Sequence, residues 1–208
     1  MEEVLTVYQR PFDPAQPVIC MDETSKQRVG ETRIALPAEP GQPRREDYEY
    51  ERHGVANLFL FCEPLTGWRK VQVTERRTRT DWAQAMRELS DRLYPTARRI
   101  TVVLDNLNTH GPASFYEAFT PDEARRLAER FEFHYTPKHG SWLNVAEIEL
   151  SVLSRQCLDR RIGKLEVLQS EIRAWQQKRN QASKPVDWQF TTAEARIKLK
   201  RLYPVIQT

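Results

Sequence analysis

Cysteine is scarce in this chain and carries no pattern. Three occur in 208 residues, Cys20, Cys62 and Cys157, an odd number at long spacings, each inside an apolar run. That excludes a disulfide framework and a Cys-x-x-Cys metal knuckle, and reads as buried thiols in a reducing compartment. The four histidines, His53, His110, His134 and His139, show no tight spacing and give no support to a zinc site. No apolar run approaches the length of a membrane span, and Met1 to Pro17 holds charges and prolines but no signal-peptide core. The expectation is a cytoplasmic protein with no membrane segment. Gly-x-x-x-x-Gly-Lys, Gly-x-Gly-x-x-Gly and Gly-x-Ser-x-Gly are all missing, which leaves P-loop hydrolysis, dinucleotide binding and serine-hydrolase chemistry unsupported. Internal repeats and low-complexity tracts are also absent.

What is present describes a globular domain: 39% hydrophobic and 29% charged residues, with a formal net charge of +3. The basic residues cluster at Arg76-Arg77-Thr78-Arg79, Arg98-Arg99, Arg125-Arg126, Arg160-Arg161 and Lys198-Leu199-Lys200-Arg201. Any one cluster reads as a solvated face; several together point toward a polyanion.

Residues 1–16 read as a short helix or arm with a proline-punctuated linker. Val18 to Met21 is a short buried strand. Glu23 to about Gly54 is a long polar connection with Pro37, Pro40, Pro43 and the Arg44-Arg45 pair, either a surface insertion or a substrate-contacting element. Val55 to Cys62 and Trp68 to Thr74 form a hairpin about a Pro- and Gly-bearing turn. A helix capped by Thr80 follows, with Trp82, Ala85, Met86, Leu89 and Leu93 on one face. Ile100 to Leu104 is a second buried strand, Thr120-Pro121-Asp122-Glu123 a capping box, and Phe131 to Tyr135 an alternating strand. From Trp142 the chain turns helical, with stripes at Leu143, Ala146, Leu150, Leu153, Cys157 and at Leu165, Leu168, Ile172, Trp175. A capping box at Thr191 opens a last helix to about Leu202. The order predicts an α/β fold, a mixed sheet flanked by helices with a helical extension at the C-terminus.

Two of the strands end in acid: Val18-Ile19-Cys20-Met21-Asp22-Glu23 and Val102-Val103-Leu104-Asp105-Asn106. An aspartate just past such a strand lies at the carboxyl edge of the sheet, where α/β folds bind ligands. A third acid in Ser141-Trp142-Leu143-Asn144-Val145-Ala146-Glu147 would complete an oxygen cage for hard divalent ions. Each acid has a rival. Glu23 neighbours Asp22, and alternation sends the two to opposite faces, so only one is expected in the site. Glu149 flanks the same apolar stripe as Glu147, and Glu147 itself fits a capping box with Asn144. Lys138-His139-Gly140-Ser141, before the helix, reads equally as a phosphate contact or a plain loop.

Met21-Asp22-Glu23, Leu104-Asp105-Asn106 with His110, and Ser141 to Glu147 together resemble the three motifs of the mariner-like insertion-sequence transposases. The third motif of that family usually reads Ser-x-x-Leu-Asn-Pro-Ile-Glu; here Val145-Ala146 replaces Pro-Ile. The match favours Asp22 over Glu23 and Glu147 over Glu149. Tyr48 to Arg77, Tyr135 to Gly140 and Trp188 to Pro204 also look like bacterial members. The interval between the last two acids is wider than usual for the family, the extra residues being assigned to the helix near Thr120.

The resemblance implies a ribonuclease-H-like catalytic domain over 17–182, with 1–16 as arm and 183–208 as extension. It implies two Mg²⁺ or Mn²⁺ ions, Asp22 bridging and Asp105 and Glu147 holding one each, with Asn106, Asn144 and His110 supporting the acids. The activity implied is phosphodiester cleavage at transposon ends followed by strand transfer into target DNA, by a homodimer on DNA. Family members usually carry N-terminal helix-turn-helix domains, and nothing here reads as one, so an upstream helix-turn-helix subunit is a possible partner. Alternatives are a non-transposing nuclease of the same fold and a remnant that only binds DNA.

Overall fold

The computed structural model describes residues 1–34, 36–43, 45, 47–138 and 140–202. In chain order the elements are α1 (Glu2–Tyr8), β1 (Val18–Glu31), β2 (Tyr50–Glu63), β3 (Trp68–Thr74), α2 (Arg79–Glu88), β4 (Ile100–Leu104), α3 (Pro112–Ala118), α4 (Pro121–Arg130), β5 (Phe131–Tyr135), α5 (Val145–Leu153), α6 (Leu165–Ala182) and α7 (Thr192–Lys198). Five strands form one mixed sheet in the order β3-β2-β1-β4-β5. β1, β2 and β3 pair antiparallel as a meander, while β1, β4 and β5 run parallel. The expected α/β class, with helices on both faces, is what the chain adopts.

Strand alternation splits the core in two. Val18, Cys20, Leu58 and Leu60 point to one face, where they pack with α1, α5, α6 and Ala195 of α7. Ile19, Met21, Phe59 and Phe61 point to the other, against Trp82 and Met86 of α2, Phe115 of α3 and Leu127 of α4. β4 is buried along its whole length, as its β-branched run requires of a central strand. Its bounds and those of β5 and β3 match the sequence reading. The helical stripes are also as read: Leu143, Ala146, Leu150, Leu153 and Cys157 are all buried.

Other readings need correction. β1 does not stop at Met21; it runs on to Glu31, paired with β2 as far as Tyr50. The polar connection is therefore in part a two-stranded ribbon, with Thr24 to Glu31 half-buried or exposed and Tyr50 to Val55 exposed. Arg44 of the expected Arg44-Arg45 pair, like the end of the Trp188–Pro204 stretch, lies outside the described residues. α2 is capped by Thr78, not Thr80, because the carboxylate of Asp81 closes a capping box on Thr78. Thr120 heads α4 without a side-chain cap, and Glu123 turns instead to Arg126 at 2.7 Å. The Thr191 box forms with Glu194 as read. α3, short and headed by Gly111 and Pro112, has no sequence reading to compare.

The first helix and the described residues after α6 reach the core and meet each other. Val4, Leu5 and Val7 of α1 are fully buried. Tyr8 packs on Trp188 with ring centroids 4.8 Å apart. α1 and the described residues of the C-terminal flank, which run to 202, are thus packed against the sheet domain. Gly67, at φ 71°, makes the β2–β3 turn, and a Cβ there would lie 2.4 Å from the Lys184 carbonyl, so the turn and the chain after α6 touch backbone to backbone. No helix among the described residues is long and apolar enough to cross a membrane.

One buried ion network fastens α5 to the rest. Glu149 on α5 is 4% exposed and Arg69 on β3 2%. The Arg69 guanidinium donates to Glu149 at 2.6 and 2.9 Å, and Arg179 of α6 adds bonds at 3.1 and 3.2 Å. Burial alone would push the Glu149 carboxyl up, but the two guanidinium groups hold it below the usual carboxylate range. A depressed native value stabilises the fold above the unfolded-state pKa, and that stability is lost as pH falls through the native value. Glu149→Ala is expected to lower the unfolding free energy by about 3–5 kcal/mol at neutral pH, since it strands the buried Arg69 guanidinium and leaves the half-buried one of Arg179 unpaired. Urea denaturation checks this, and the deficit should shrink on acidification.

Candidate active site

The parallel register of β1 and β4 sets the site. Val18 faces Thr101, Ile19 faces Val102 and Cys20 faces Val103. Continuing that register by one alternation brings Asp22 level with Asp105, on neighbouring strands about 4.8 Å apart. Asp105 lies just past the end of β4, and Asp22 just past the last pair of β1 with β4, still paired with Leu60 of β2.

The third acid arrives on α5, whose start is pinned to β1 by one amide. Asn144 Nδ2 donates to the Met21 carbonyl at 2.9 Å, and its Oδ1 accepts from the Ala146 N–H at 3.1 Å. Asn144 is thus both helix cap and strand clamp, one residue before Asp22. Its own N–H donates to the Ser141 carbonyl at 2.7 Å, so Glu147 is not its capping partner. Glu147 is exposed in the first turn of α5. Glu149, two residues on, faces the opposite way and is committed to Arg69 and Arg179.

The acids share one electrostatic environment. Burial pushes the Asp22 carboxyl up to about 6, with the charges of Asp105 and Glu147 adding to it. The Glu23 N–H, donating to Asp22 Oδ1 at 2.8 Å, and the His110 charge work in the other direction. Asp22, Asp105, Glu147, Asn144 and His110 therefore meet in one place. Asn106 is exposed and makes no hydrogen bond among the described residues.

His110 supplies the local cation. It is 2% exposed and stacks on Trp82 at 5.7 Å. Nδ1 lies 2.5 Å from Asp105 Oδ1, and Nε2 lies 3.1 Å from Glu23 Oε2. Burial lowers the imidazole pKa, but the hydrogen bonds to Asp105 and Glu23 outweigh it and carry the group to about 9. At neutral pH both ring N–H groups donate. Arg77 stands 3.6 Å from Glu23 and extends the chain of charges. Glu23 is the residue that sequence reasoning set aside. Alternation does send it away from Asp22, yet that face holds His110, and through His110 it reaches Asp105.

The donor set is all oxygen, which suits hard divalent ions. Among the described residues no group of three His, Cys, Asp or Glu is gathered tightly enough to hold an ion. The site fits such an ion by its chemistry: three carboxylates whose charges act on one another, Asp105 half-buried and Glu147 exposed. The other histidines lie apart. His134 bridges Glu3 and Glu132 far along β5, His53 sits on the ribbon, and His139 of the Lys138 to Ser141 stretch lies outside the described residues.

Residues 17–169 match the family model described as DDE superfamily endonuclease. The chain belongs to that family. This DDE family member has the fold of several solved chains. One is the Mos1 mariner paired end complex with Mn, at TM-score 0.54 and 18% identity over 85% of this chain and 52% of that one. Another is the Mos1 strand transfer complex, at 0.53 and 16% over 88% and 52%. The Mos1 paired end complex with Mg gives 0.51 and 18% over 89% and 61%. At this identity the likeness is one of fold, and it makes the sheet ribonuclease-H-like. The DDE family member spans about half the length of those solved chains. No curated protein matches it significantly.

A raised native pKa at Asp22 has a stability signature. The favourable contribution is complete below the unfolded value and is lost as pH rises through about 6. In metal-free protein Asp22→Asn is expected to be more stable than the parent above that pH, by on the order of 2 kcal/mol, and to lose the advantage below about pH 4. Denaturation of both proteins across that range tests it; a constant difference would dismiss the raised Asp22 carboxyl.

Proposed function

We propose that this chain is the catalytic domain of a DNA transposase, cleaving phosphodiester bonds at the ends of a mobile element and joining the freed 3′ end to target DNA. The observation that carries this is the level placement of Asp22 and Asp105 on parallel strands, with Glu147 brought over them by the Asn144 clamp. Family membership supports the endonuclease half of the reading. The Mos1 chains that share the fold are described as paired end and strand transfer complexes, which supports the joining half.

In this reading Asp22 would bridge two Mg²⁺ or Mn²⁺ ions, with Asp105 and Glu147 holding one each. When bound, such a pair polarises the attacking oxygen and stabilises the leaving oxygen of an in-line displacement. The chain's own residues do the rest. His110 fixes the Asp105 carboxylate through Nδ1 and is itself held by Glu23. Asn144 fixes the height of Glu147 above the sheet. The Asp22 proton must leave before a cation is held, so metal affinity rises with pH through about 6. Asn106, exposed beside Asp105, is assigned to orient that acid. Residues 17–182 are the proposed catalytic unit, with 1–16 and 183–208 as its flanks. The partners are DNA, a second copy of the chain to hold two ends together, and an upstream helix-turn-helix subunit to recognise them.

The test is cleavage of a labelled duplex with Mg²⁺ or Mn²⁺, followed by joining to a second duplex. Asp22→Asn, Asp105→Asn and Glu147→Gln should each lose about a thousandfold or more, a metal ligand being worth several kcal/mol at the transition state. Glu149→Gln should lose stability but keep cleavage in the folded fraction. Cutting without joining would make the chain a nuclease of this fold, and binding without cutting a remnant. Glu23→Gln should cost about 10–100-fold and raise the metal concentration needed, as removing a support to a metal ligand does.

A further inference from the structure

Two cavities adjoin on the α5–α6 face. The smaller, about 340 Å³, is lined by Thr24, Ser25 and Lys26 of β1 and by Ser154 and Arg155 at the end of α5. The larger, about 830 Å³, runs on between α5 and α6 past Arg160, Trp175, Lys178 and Arg179 to Lys184. Arg155 and Asp159 line both, so the two are one continuous groove.

Two periodicities lead from the acids into this groove. Along β1, Asp22, Thr24 and Lys26 alternate to the same face. Along α5, Glu147, Ser151 and Ser154 recur at i, i+4 and i+7, and all three are exposed. A strand lying across Asp22 and Glu147 would therefore continue between β1 and α5 into the groove. Lys26 ties the two walls together, its Nζ donating to the Leu158 carbonyl at 2.6 Å and the Arg160 carbonyl at 3.2 Å.

The groove carries unmatched positive charge. Arg160 is neutralised by Glu171 at 2.6 Å, and Arg179 by Glu149. Arg155, Lys178 and Lys184 are exposed and have no acidic partner among the described residues. At its base the Arg179 Nε is buried without an acceptor. The Arg179 guanidinium also lies 5.9 Å from the centre of the Trp175 ring, whose Nε1 is held by Gln156 at 3.0 Å. Free cations beside an amphipathic aromatic floor are the features that track a sugar-phosphate backbone.

We infer that the groove from Thr24 to Lys184 is a path for the nucleic-acid backbone leading out of the acid site, with Arg155, Lys178 and Lys184 contacting phosphates. The inference rests on the chain being an enzyme of nucleic acid and deepens that reading.

The test is binding of a labelled duplex of arbitrary sequence in EDTA, at several salt concentrations, by the full chain and by the Arg155→Ala/Lys178→Ala/Lys184→Ala variant. The slope of log K against log salt should fall by about 0.9 for each contact removed, and affinity near 0.1 M salt should drop by about tenfold per contact. Arg98→Ala/Arg99→Ala, exposed at the opposite end of β4, should leave both unchanged. An unaltered slope in the triple variant, an equal loss in the Arg98/Arg99 control, or no binding by the parent chain would overturn the path. So would polyglutamate competing as well as DNA, which would assign the groove to an acidic protein. Because metal is absent, the outcome is independent of whether the acids cut. Cleavage at saturating enzyme that survives with an unchanged slope would reject the groove and keep the activity.

Discussion

The parallel pairing of β1 with β4 is the constraint on which the rest of this molecule depends. Three registered pairs, ending at Cys20 and Val103, fix where β1 parts from β4, while β1 itself runs on beside β2. A slip of one residue would turn Asp22 onto the face occupied by His110 and put Met21 among the acids. The slip is forbidden because both faces are filled: Cys20 and Val103 on one side, Ile19, Met21 and Val102 on the other. The site is thus specified by apolar packing beneath it more than by any polar contact within it.

Above that floor the site is electrostatically unbalanced, and two devices manage the imbalance differently. On one face the positive charge of His110, stacked on Trp82, compensates Asp105 and Glu23 together. Asp22 is compensated only in part, by the Glu23 N–H and the His110 charge, and its burial with the charges of Asp105 and Glu147 leaves its carboxyl raised to about 6. Compensated carboxylates hold still, whereas uncompensated ones attract a cation. The asymmetry gives one acid of known orientation and two that remain responsive, which is a reasonable division for a site whose ions and substrate share oxygens. Glu149 shows the alternative fate of an acid on the same helix: fully compensated by Arg69 and Arg179, it becomes a fastening.

Much of this was legible in the sequence, and the failures share a cause. β4, β5 and the β2–β3 hairpin carry their own apolar or alternating signal, and so do the stripes of α2, α5 and α6. The acid-ended strands placed Asp22 and Asp105 at one sheet edge without help from any relative. The distal half of β1 was invisible because a ribbon with no fully buried residue has no hydrophobic period to read. The cap at Thr78 was misread by two residues because two threonines compete and Asp81, three beyond the first, decides between them. Glu147 and Glu149 could not be told apart by period, since what separates them is Arg69, 80 positions away in the chain. Glu23 was excluded by a correct argument about faces that did not foresee a histidine bridging the two sides of the sheet edge.

The first helix has a consequence for where this domain can be said to begin. Tyr8 places its hydroxyl 2.7 Å from the Leu143 carbonyl, against which it donates, and 3.4 Å from the Val145 N–H, which it accepts. A side chain from the start of the chain thus completes the backbone at the head of α5, a few residues before Glu147. A protein started at residue 17, where the family match opens, would keep every carboxylate yet lose this keystone and the buried Val4, Leu5 and Val7 beside it. Homology and mechanical integrity draw different borders here, and a truncation guided by the first would cut through the second.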